Sequence, residues 1–469
     1  MNRFRSSRRR ALPAAAVLVL SLAAACQPHP GPGAVPERVP GSVLQPVPTV
    51  GIIPATLTPA ETAVRDAVAT QLERHVTLLE QAVNIASGTT NHAGVRAVGA
   101  LFARELEALG FTTRWVSLPD SLHRAGHLVA EHPGTRGLRL LLIGHLDTVF
   151  EGENQRWVRE DTIARGAGSS DMKGGDVAII LALRALRDAG QLDGMRVSVI
   201  MTGDEEDAGT PTSISRAAMV DLARRSDVAL AFEGGSRSWI SVSRRGSSSW
   251  TLKVTARQAH SAGSCRERVG CGAIYEGARI LEAFRARLGN WEGLTFNAAE
   301  VGGGTRVVVD SLNRLTVEGR TNIIPPAFWA TGDLRFMRDA QLDSARAVMR
   351  DIVAHPLPET QSEITFDPEY YPAMPATPAG ARLVAEFDAV NRALGYGPAR
   401  AQDPMSRGAG DVSFIAPIIP GMDGLGVSGG GSHSPNEWVN LNSLRMAAER
   451  AAVLMSRLAQ PGASISTGP

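Results

Sequence analysis

The chain has 469 residues, of which 43% are hydrophobic and 5% aromatic, so it is long enough for two folded domains with buried cores. Its formal net charge is +1 at pH 7. This composition excludes an intrinsically disordered chain, and the absence of a basic block outside the N-terminus gives no reason to expect nucleic-acid binding.

The N-terminus has the charged, apolar and small-residue order of a secretory signal. Five arginines lie within residues 3–10, and fifteen mostly apolar residues follow before Cys26. This run is shorter than the ~20 residues of a membrane-spanning helix, so residues 1–25 are expected to be a cleaved signal peptide. Because LAAAC resembles a bacterial lipobox, Cys26 is expected to be lipidated and the protein to be exported, as a periplasmic protein or a membrane-anchored lipoprotein.

Residues 26–59 form a proline-rich segment, with nine prolines between Gln27 and Pro59. Prolines without periodicity favour an extended linker, which would hold the folded part of the chain off a membrane. Removal of residues 1–25 deletes five arginines and no acidic residue, so the formal charge of the remaining chain is −4.

The first buried strand is predicted in the apolar run LRLLLIG, which ends directly before His145. Asp147 lies two residues later and points the same way. It can therefore accept the second ring N–H of His145, as carboxylates behind zinc histidines do.

Asp171 follows in GAGSSDMKGG, just before a predicted helix that includes DVAIILALRALRDAG. The two glycines allow the chain to bend sharply and to present the carboxylate near the first strand end. A carboxylate has two oxygens and can bridge two cations ~3.5 to 4 Å apart. A helix N-cap is the alternative role for Asp171, and both roles can coexist.

Two further predicted strands, in MRVSVIMTG and SDVALAF, end close to Glu205, Glu206 and Glu233. Ligands in open α/β sheets bind at the carboxyl ends of the strands, so these side chains are expected to converge with His145. Adjacent glutamates point in different directions, so one of Glu205 and Glu206 can bind metal while the other acts as a general base.

His433, in GGGSHSPNEW, completes the set of candidate ligands. Three carboxylates and two imidazoles suit zinc, which accepts both kinds of donor. The residues therefore predict a two-metal hydrolase.

Eight motifs follow one another between residues 70 and 458: HLDTV, GAGSSDMKGG, TGDEE, FEGG, RQAHSAG, RTNIIPP, GDLRF and GSHSPNEWV. With these motifs in this order, the chain resembles the di-zinc metallopeptidase family of glutamate carboxypeptidase, aminoacylase, acetylornithine deacetylase and succinyl-diaminopimelate desuccinylase. The resemblance implies two Zn²⁺ per subunit and a cis peptide bond after Asp171. The ligands that it implies are His145, Asp171 as the bridge, Glu206, Glu233 and His433. It also implies that Glu205 is the general base and that Asp147 orients His145.

The fold implied by the resemblance is an α/β catalytic domain with a central, mostly parallel sheet flanked by helices, and an inserted α+β lid or dimerisation domain. The predicted bounds are 60–240 for the first catalytic part, 241–372 for the lid, 373–460 for the second catalytic part and 461–469 for a disordered tail. Within the lid, helical stretches are predicted over 273–288 and 340–354.

Three lid residues match positions with family roles. His260 matches the histidine that is thought to reach the active site of the partner subunit and to stabilise the oxyanion, which implies a homodimer. Asn322 and Arg335 match positions near the substrate. Cys265 and Cys271 are six residues apart, and a disulfide between them is an open expectation if the compartment is oxidising.

The predicted function is that of an exported zinc metallopeptidase, similar to glutamate carboxypeptidase, that hydrolyses short peptides. An N-acyl amino acid deacylase is the alternative, because Tyr371 and Met405 stand where glutamate-type carboxypeptidases have arginines, although Arg407 is close. A non-catalytic surface lipoprotein is a third hypothesis. The presence of all five ligands and the base favours an enzyme.

Overall fold

The computed structural model describes residues 53–152, 156–310 and 314–465. The predicted signal peptide, Cys26 and most of the predicted linker lie outside the described residues, as does the end of the predicted tail. Within the described ranges, every helix is too short or too polar to cross a membrane.

The elements are numbered in chain order. The strands are β1 (Thr112–Val116), β2 (His127–His132), β3 (Arg136–His145), β4 (Val158–Glu160), β5 (Ile163–Arg165), β6 (Met195–Thr202), β7 (Val228–Ala231), β8 (Trp239–Ile240), β9 (Gly246–Ala256), β10 (Ala259–His260), β11 (Thr295–Gly304), β12 (Arg306–Val309), β13 (Leu315–Glu318), β14 (Ile323–Ile324), β15 (Ala327–Phe336), β16 (Thr360–Phe366), β17 (Arg400–Ala401), β18 (Gly421–Met422), β19 (Gly429–Gly430) and β20 (Trp438–Asn440). The α-helices are α1 (Pro59–Val83), α2 (His92–Glu107), α3 (Lys173–Asp188), α4 (Thr212–Ser215), α5 (Ala217–Arg224), α6 (Ala273–Leu288), α7 (Asp339–Val353), α8 (Pro378–Ala393), α9 (Val412–Ile415) and α10 (Leu441–Leu458). Short 3₁₀ helices cover Asp120–Leu122, Ser261–Gly263 and Pro404–Ser406.

The central sheet has the strand order β1-β2-β6-β3-β7-β18. Strands β6, β3, β7 and β18 run parallel, while β1 and β2 are antiparallel to their neighbours. The prediction of a mostly parallel sheet flanked by helices is confirmed.

Both faces of the central sheet are buried, because successive side chains of a strand point to opposite faces. On β3, Leu140 and Leu142 belong to a core built with α1, α2, α3, α8 and α10. Leu141 and Ile143 belong to a second core, on the side of α5 and α9. Burial on both faces explains why the strand sequences are continuous apolar runs.

Helix α1 begins where the sequence provides a capping box. The hydroxyl of Thr58 accepts the N–H of Glu61, and the carboxylate of Glu61 accepts the N–H of Thr58. Pro59 occupies the first turn, where a missing N–H has no cost. Helix α1 therefore begins at Pro59.

A second, antiparallel sheet has the order β11-β15-β9-β16. One face packs against α6 and α7 around Trp250, Phe284, Phe336 and Met349, and forms a separate hydrophobic core. These strands and helices lie where the sequence analysis placed the lid, but the exact domain bounds stay a prediction. The hairpin β12–β13 was not predicted.

The chain enters and leaves the second sheet through two paired segments. Arg244 and Met374 exchange both backbone hydrogen bonds, and so do Ser247 and Tyr371. We call residues 241–247 and 369–374 the crossing segments. Near β10, a disulfide joins Cys265 to Cys271.

Candidate metal centre

The central sheet brings four predicted site residues to one edge. Strands β6, β3 and β7 are parallel neighbours. His145 is the last residue of β3, Glu205 and Glu206 follow β6, and Glu233 follows β7. Since the carboxyl ends of parallel strands meet at one edge, residues far apart in the chain become neighbours.

Two groups of three donor atoms share the carboxylate of Asp171. In the first, Nε2 of His145 lies 3.4 Å from Oδ1 of Asp171 and 3.5 Å from Oε1 of Glu233. In the second, Nε2 of His433 lies 3.3 Å from Oδ2 of Asp171 and 3.2 Å from Oε2 of Glu206. We call these groups the His145 trio and the His433 trio. The structure therefore brings all five predicted ligands together, with one oxygen of Asp171 in each trio.

The two trios fit zinc. Zinc bonds of 2.0 to 2.1 Å in a tetrahedron separate neighbouring ligand atoms by about 3.3 Å, close to the distances from each histidine nitrogen to its two carboxylate oxygens. Nε2 of His145 and Oε1 of Glu206 are buried without a hydrogen-bond partner among the described residues. Buried polar atoms normally have a partner, so these atoms are suited to a cation.

Asp147 orients His145 and also holds the backbone of the next loop. Nδ1 of His145 donates to the carbonyl oxygen of Asp147 at 3.1 Å and lies 3.4 Å from its Oδ1. This leaves the lone pair of Nε2 free for a metal. The two carboxylate oxygens also accept the N–H groups of Glu205 and Glu206, each at 3.1 Å, and the hydroxyl of Thr89 at 2.7 Å.

The carboxylate of Glu205 lies beside the His145 trio. One of its oxygens is within 4.8 Å of donor atoms of His145 and Glu233. Burial, followed by repulsion from Glu233, raises the pKa of Glu205 well above its usual value. A half-buried carboxylate beside candidate metal donors has the placement of a general acid or base.

The electrostatics of the two trios indicate an excess of negative charge. Burial raises the pKa of Glu206 to about 8 and that of Glu233 to about 7. The hydrogen bond with Asp171 is the main cause that raises the pKa of His433, to about 9. Two cations would compensate the carboxylates and let all of them ionise.

Glu437 is a site residue that the sequence analysis missed. Its Oε1 accepts the N–H of Ser170 at 2.8 Å, the hydroxyl of Ser170 at 3.1 Å and the N–H of Asp171 at 2.9 Å. Its Oε2 accepts the N–H of Gly168 at 2.9 Å, and its side chain is buried. Glu437 therefore fixes the loop that carries Asp171. The sequence shows only an acidic residue four positions after His433, which does not indicate that its partners are backbone N–H groups of another loop.

The Asp171 loop and the His433 loop each contain a special backbone conformation. The Asp171–Met172 peptide bond is cis, as the resemblance implied. His433 has a φ of 62°, in the left-handed region that residues other than glycine rarely adopt. A positive φ at a residue with a side chain is kept where the surrounding structure fixes it, often at a functional site.

The lid residues lie outside both trios. His260 is exposed, and its Nδ1 accepts the N–H of Ala262 at 3.1 Å. Asn322 is also exposed, and its backbone carbonyl oxygen accepts the N–H of Ser261. Arg335 forms a 2.7 Å ion pair with Asp333. The described chain does not bring these three residues to the metal donors, and their predicted roles stay predictions.

Tyr371 and Met405, which stand where glutamate-type carboxypeptidases have arginines, have different surroundings. The hydroxyl of Tyr371 donates to the carbonyl oxygen of Glu205 at 2.9 Å. Met405 is 41% exposed. Neither side chain offers a positive charge to a substrate carboxylate, as the sequence analysis concluded.

Comparison with known proteins identifies the family. Residues 141–457 match the model of Peptidase family M20/M25/M40. The chain is 27% identical to carboxypeptidase G2 of Pseudomonas sp. (strain RS-16) over 396 residues, which cover 81% of this chain and 88% of the relative. It is 27% identical over 357 residues to succinyl-diaminopimelate desuccinylase of Maricaulis maris (strain MCS10), covering 72% and 85%. The fold is similar to the crystal structure of aminopeptidase PepT from Bacillus cereus ATCC 10987, with a TM-score of 0.67, 18% identity and coverage of 83% and 99%.

The family match covers more than half of the chain and includes all five predicted ligands. Together with the groups of His, Asp and Glu side chains that could hold metal, it confirms the predicted family and the two-zinc cofactor. The chain belongs to Peptidase family M20/M25/M40 and is a metallo-hydrolase of peptide or amide bonds.

Proposed function

We propose that the protein is an exported, zinc-dependent carboxypeptidase of short peptides. The observation that carries this proposal is the pair of donor trios that share Asp171 beside the carboxylate of Glu205. The similarity to carboxypeptidase G2 over most of both chains supports the same reaction class.

The His145 trio would hold one zinc and the His433 trio the other, with Asp171 as the bridge. When bound, the zinc pair lowers the pKa of water towards ~7 and polarises the scissile carbonyl. Asp147 keeps the proton of His145 on Nδ1, so that Nε2 stays available.

Glu205 is assigned as the general base and acid. It would accept the proton of the attacking water and later deliver it to the leaving amine. Its buried position raises its pKa well above the usual value, which makes a proton on this carboxylate easier to hold. A cation nearby opposes that shift, so the group can both take and release a proton.

His260 is assigned as a donor to the oxyanion in the active site of a partner subunit. Its Nδ1 accepts the N–H of Ala262, so in the neutral ring the proton is on Nε2. An exposed Nε2–H is a donor for developing negative charge. Because His260 lies outside both trios of its own chain, this role requires a homodimer.

The second sheet offers a surface for that dimer. Strand β11 is an edge strand, and Val301 on it is 48% exposed. On the adjacent helix α6, Ile274 is 40% and Tyr275 62% exposed. An unpaired edge beside exposed apolar side chains favours pairing with a second copy, and dimers are typical of the family.

Arg335 is assigned to the carboxylate of the substrate, with Asn322 nearby. The side chain of Arg335 is 35% exposed, but it is already paired with Asp333, so a substrate carboxylate would have to share its guanidinium. For this reason an N-acyl amino acid deacylase is the second candidate. The similarity to a succinyl-diaminopimelate desuccinylase, which is named for removal of an acyl group, favours it.

Export and lipidation at Cys26 are part of the proposal. The arginine-rich start, the apolar run and LAAAC support them. The disulfide between Cys265 and Cys271 also suits an oxidising compartment. Globomycin treatment of expressing cells would test lipidation: accumulation of a precursor supports it, and unchanged processing contradicts it.

The central test is hydrolysis of a panel of dipeptides, tripeptides and N-acyl amino acids by zinc-loaded protein from residue 27 onward. Glu205→Gln should lower the rate by about 10³-fold or more with both metals retained, because the base is lost and the ligands are not. Glu363→Gln, at an exposed strand position, is the matched control and should leave the rate unchanged.

Cleavage of peptides supports the carboxypeptidase, and cleavage of acylated amino acids alone supports the deacylase. Near-normal turnover in Glu205→Gln would show that Glu205 is not the general base.

A further inference from the structure

The backbone around Glu205 is held on every side. The N–H groups of Glu205 and Glu206 donate to the two carboxylate oxygens of Asp147. The carbonyl oxygen of Asp204 accepts Nη2 of Arg216 at 3.0 Å, and that of Glu205 accepts the hydroxyl of Tyr371 at 2.9 Å. Both peptide planes that flank Glu205 therefore have their N–H and their C=O bound to side chains.

These contacts come from different parts of the fold. Asp147 follows β3 in the central sheet, and Arg216 precedes α5. Arg216 is itself fixed, because its guanidinium is buried between Asp204, at 2.6 Å, and Asp411, at 2.7 Å. Two of the three holding groups thus lie beside the central sheet and its helices.

Tyr371 is different, because it lies in a crossing segment of the second sheet. Its backbone pairs with Ser247, at the start of β9. Its ring packs edge-on against Phe414, with the centroids 5.1 Å apart. The same segment also contacts the start of α4, since Oε2 of Glu369 accepts the N–H and the hydroxyl of Thr212 at 2.8 and 2.6 Å.

We propose that Tyr371 is a positioning residue that links the crossing segments of the second sheet to the backbone of Glu205. A movement of the second sheet about these segments would then be transmitted to the peptide that carries Glu205. The inference rests on the proposed role of Glu205 and assigns Tyr371 no contact with substrate or metal.

Tyr371→Phe tests the link, because it removes the hydroxyl and keeps the ring that packs on Phe414. We expect kcat to fall by about tenfold or more, with KM changed by less than about threefold and both metals retained, since small misplacements of a catalytic group are costly. Amide hydrogen exchange of residues 203–207 should become faster, because the carbonyl of Glu205 loses its partner. Tyr370→Phe is the matched control, as the ring of Tyr370 contacts Phe336 and Arg346 instead.

Unchanged kcat and unchanged exchange at 203–207 in Tyr371→Phe would overturn the inference. A lower kcat that accompanies metal loss would also overturn it, since Tyr371 would then support the metal centre and not Glu205. If the wild type hydrolyses no substrate, the proposed function fails, and hydrogen exchange alone decides the link.

Discussion

At the scale of single residues, Glu437 does for the His433 side of the metal centre what Asp147 does for the His145 side. Asp147 contacts its histidine directly. His433 is 58% exposed and depends on its loop for position, and Glu437 connects that loop to three backbone N–H groups of the Asp171 loop. A carboxylate can accept all of these bonds at once, whereas an amide cannot.

Glu437→Gln should therefore weaken metal binding while the protein stays folded. The new NH₂ group would face an N–H donor in either orientation, so the Asp171 loop must move. We expect a loss of about 10- to 100-fold in affinity for one of the two zinc ions, the usual effect of removing a group behind a ligand. Zinc titration against a chromogenic chelator measures it, with Glu363→Gln as the control. Two unchanged zinc affinities would show that the loop does not need this carboxylate.

Neither Glu437 nor Tyr371 could have been assigned from the sequence, for the same physical reason. Glu437 binds Gly168, 269 residues away in the chain, and Tyr371 binds Glu205 across 166 residues. Their partners are backbone groups, which carry no residue-specific signal. The metal ligands were predictable because donor side chains directly follow apolar strands, and parallel strands bring such positions together.

At the scale of elements, long periodic segments were predicted well. Helix α6 has the predicted bounds, and α7 differs from its predicted range by one residue at each end. The hairpin β12–β13 was missed, although its paired strands are rich in valine. Its side chains pack on the glycines of β11, where Leu315 and Val317 would contact any Cβ placed at Gly302. Because glycines form this packing surface, the sequence of β11 has no apolar side-chain pattern that would predict the hairpin.

Helix α1 contains a buried histidine that should make stability depend on pH. Nδ1 of His75 donates to the carbonyl oxygen of Gln71 at 2.8 Å, and its Nε2 is buried without a partner among the described residues. Burial lowers the pKa of His75 below 6.5. Below pH 6.5 the unfolded chain therefore binds a proton that the folded chain does not, and the free energy of unfolding falls as the pH falls.

His75→Leu should remove this part of the pH dependence. Between pH 7.5 and 5.5 the wild type should lose more stability than the variant, by at most about 1.4 kcal/mol, the free energy that corresponds to one pKa unit. Urea unfolding at both pH values, with the same metal content in the two proteins, measures the difference. Parallel pH profiles would mean that His75 keeps its ordinary pKa in the folded state.

At the scale of the whole molecule, the active site is expected to be shared between two subunits. One chain supplies both metal trios and Glu205, while His260 lies on the second sheet and outside both trios. If His260 acts in the partner's site, then Glu205 and His260 of one working site come from different chains. This arrangement makes a prediction about mixed dimers that a monomeric site does not.

Glu205→Gln and His260→Ala should each be nearly inactive alone and should restore activity when subunits are exchanged. In a mixed dimer, one site combines Glu205 of the His260→Ala chain with His260 of the Glu205→Gln chain, and the other site carries both defects. Random exchange at equal concentrations makes half of the dimers mixed, so about one quarter of wild-type activity should return. Exchange of Glu205→Gln with a Glu205→Gln/His260→Ala double variant is the control and should restore nothing. If verified mixed dimers show no rescue, then His260 either acts in its own subunit or has no role in catalysis.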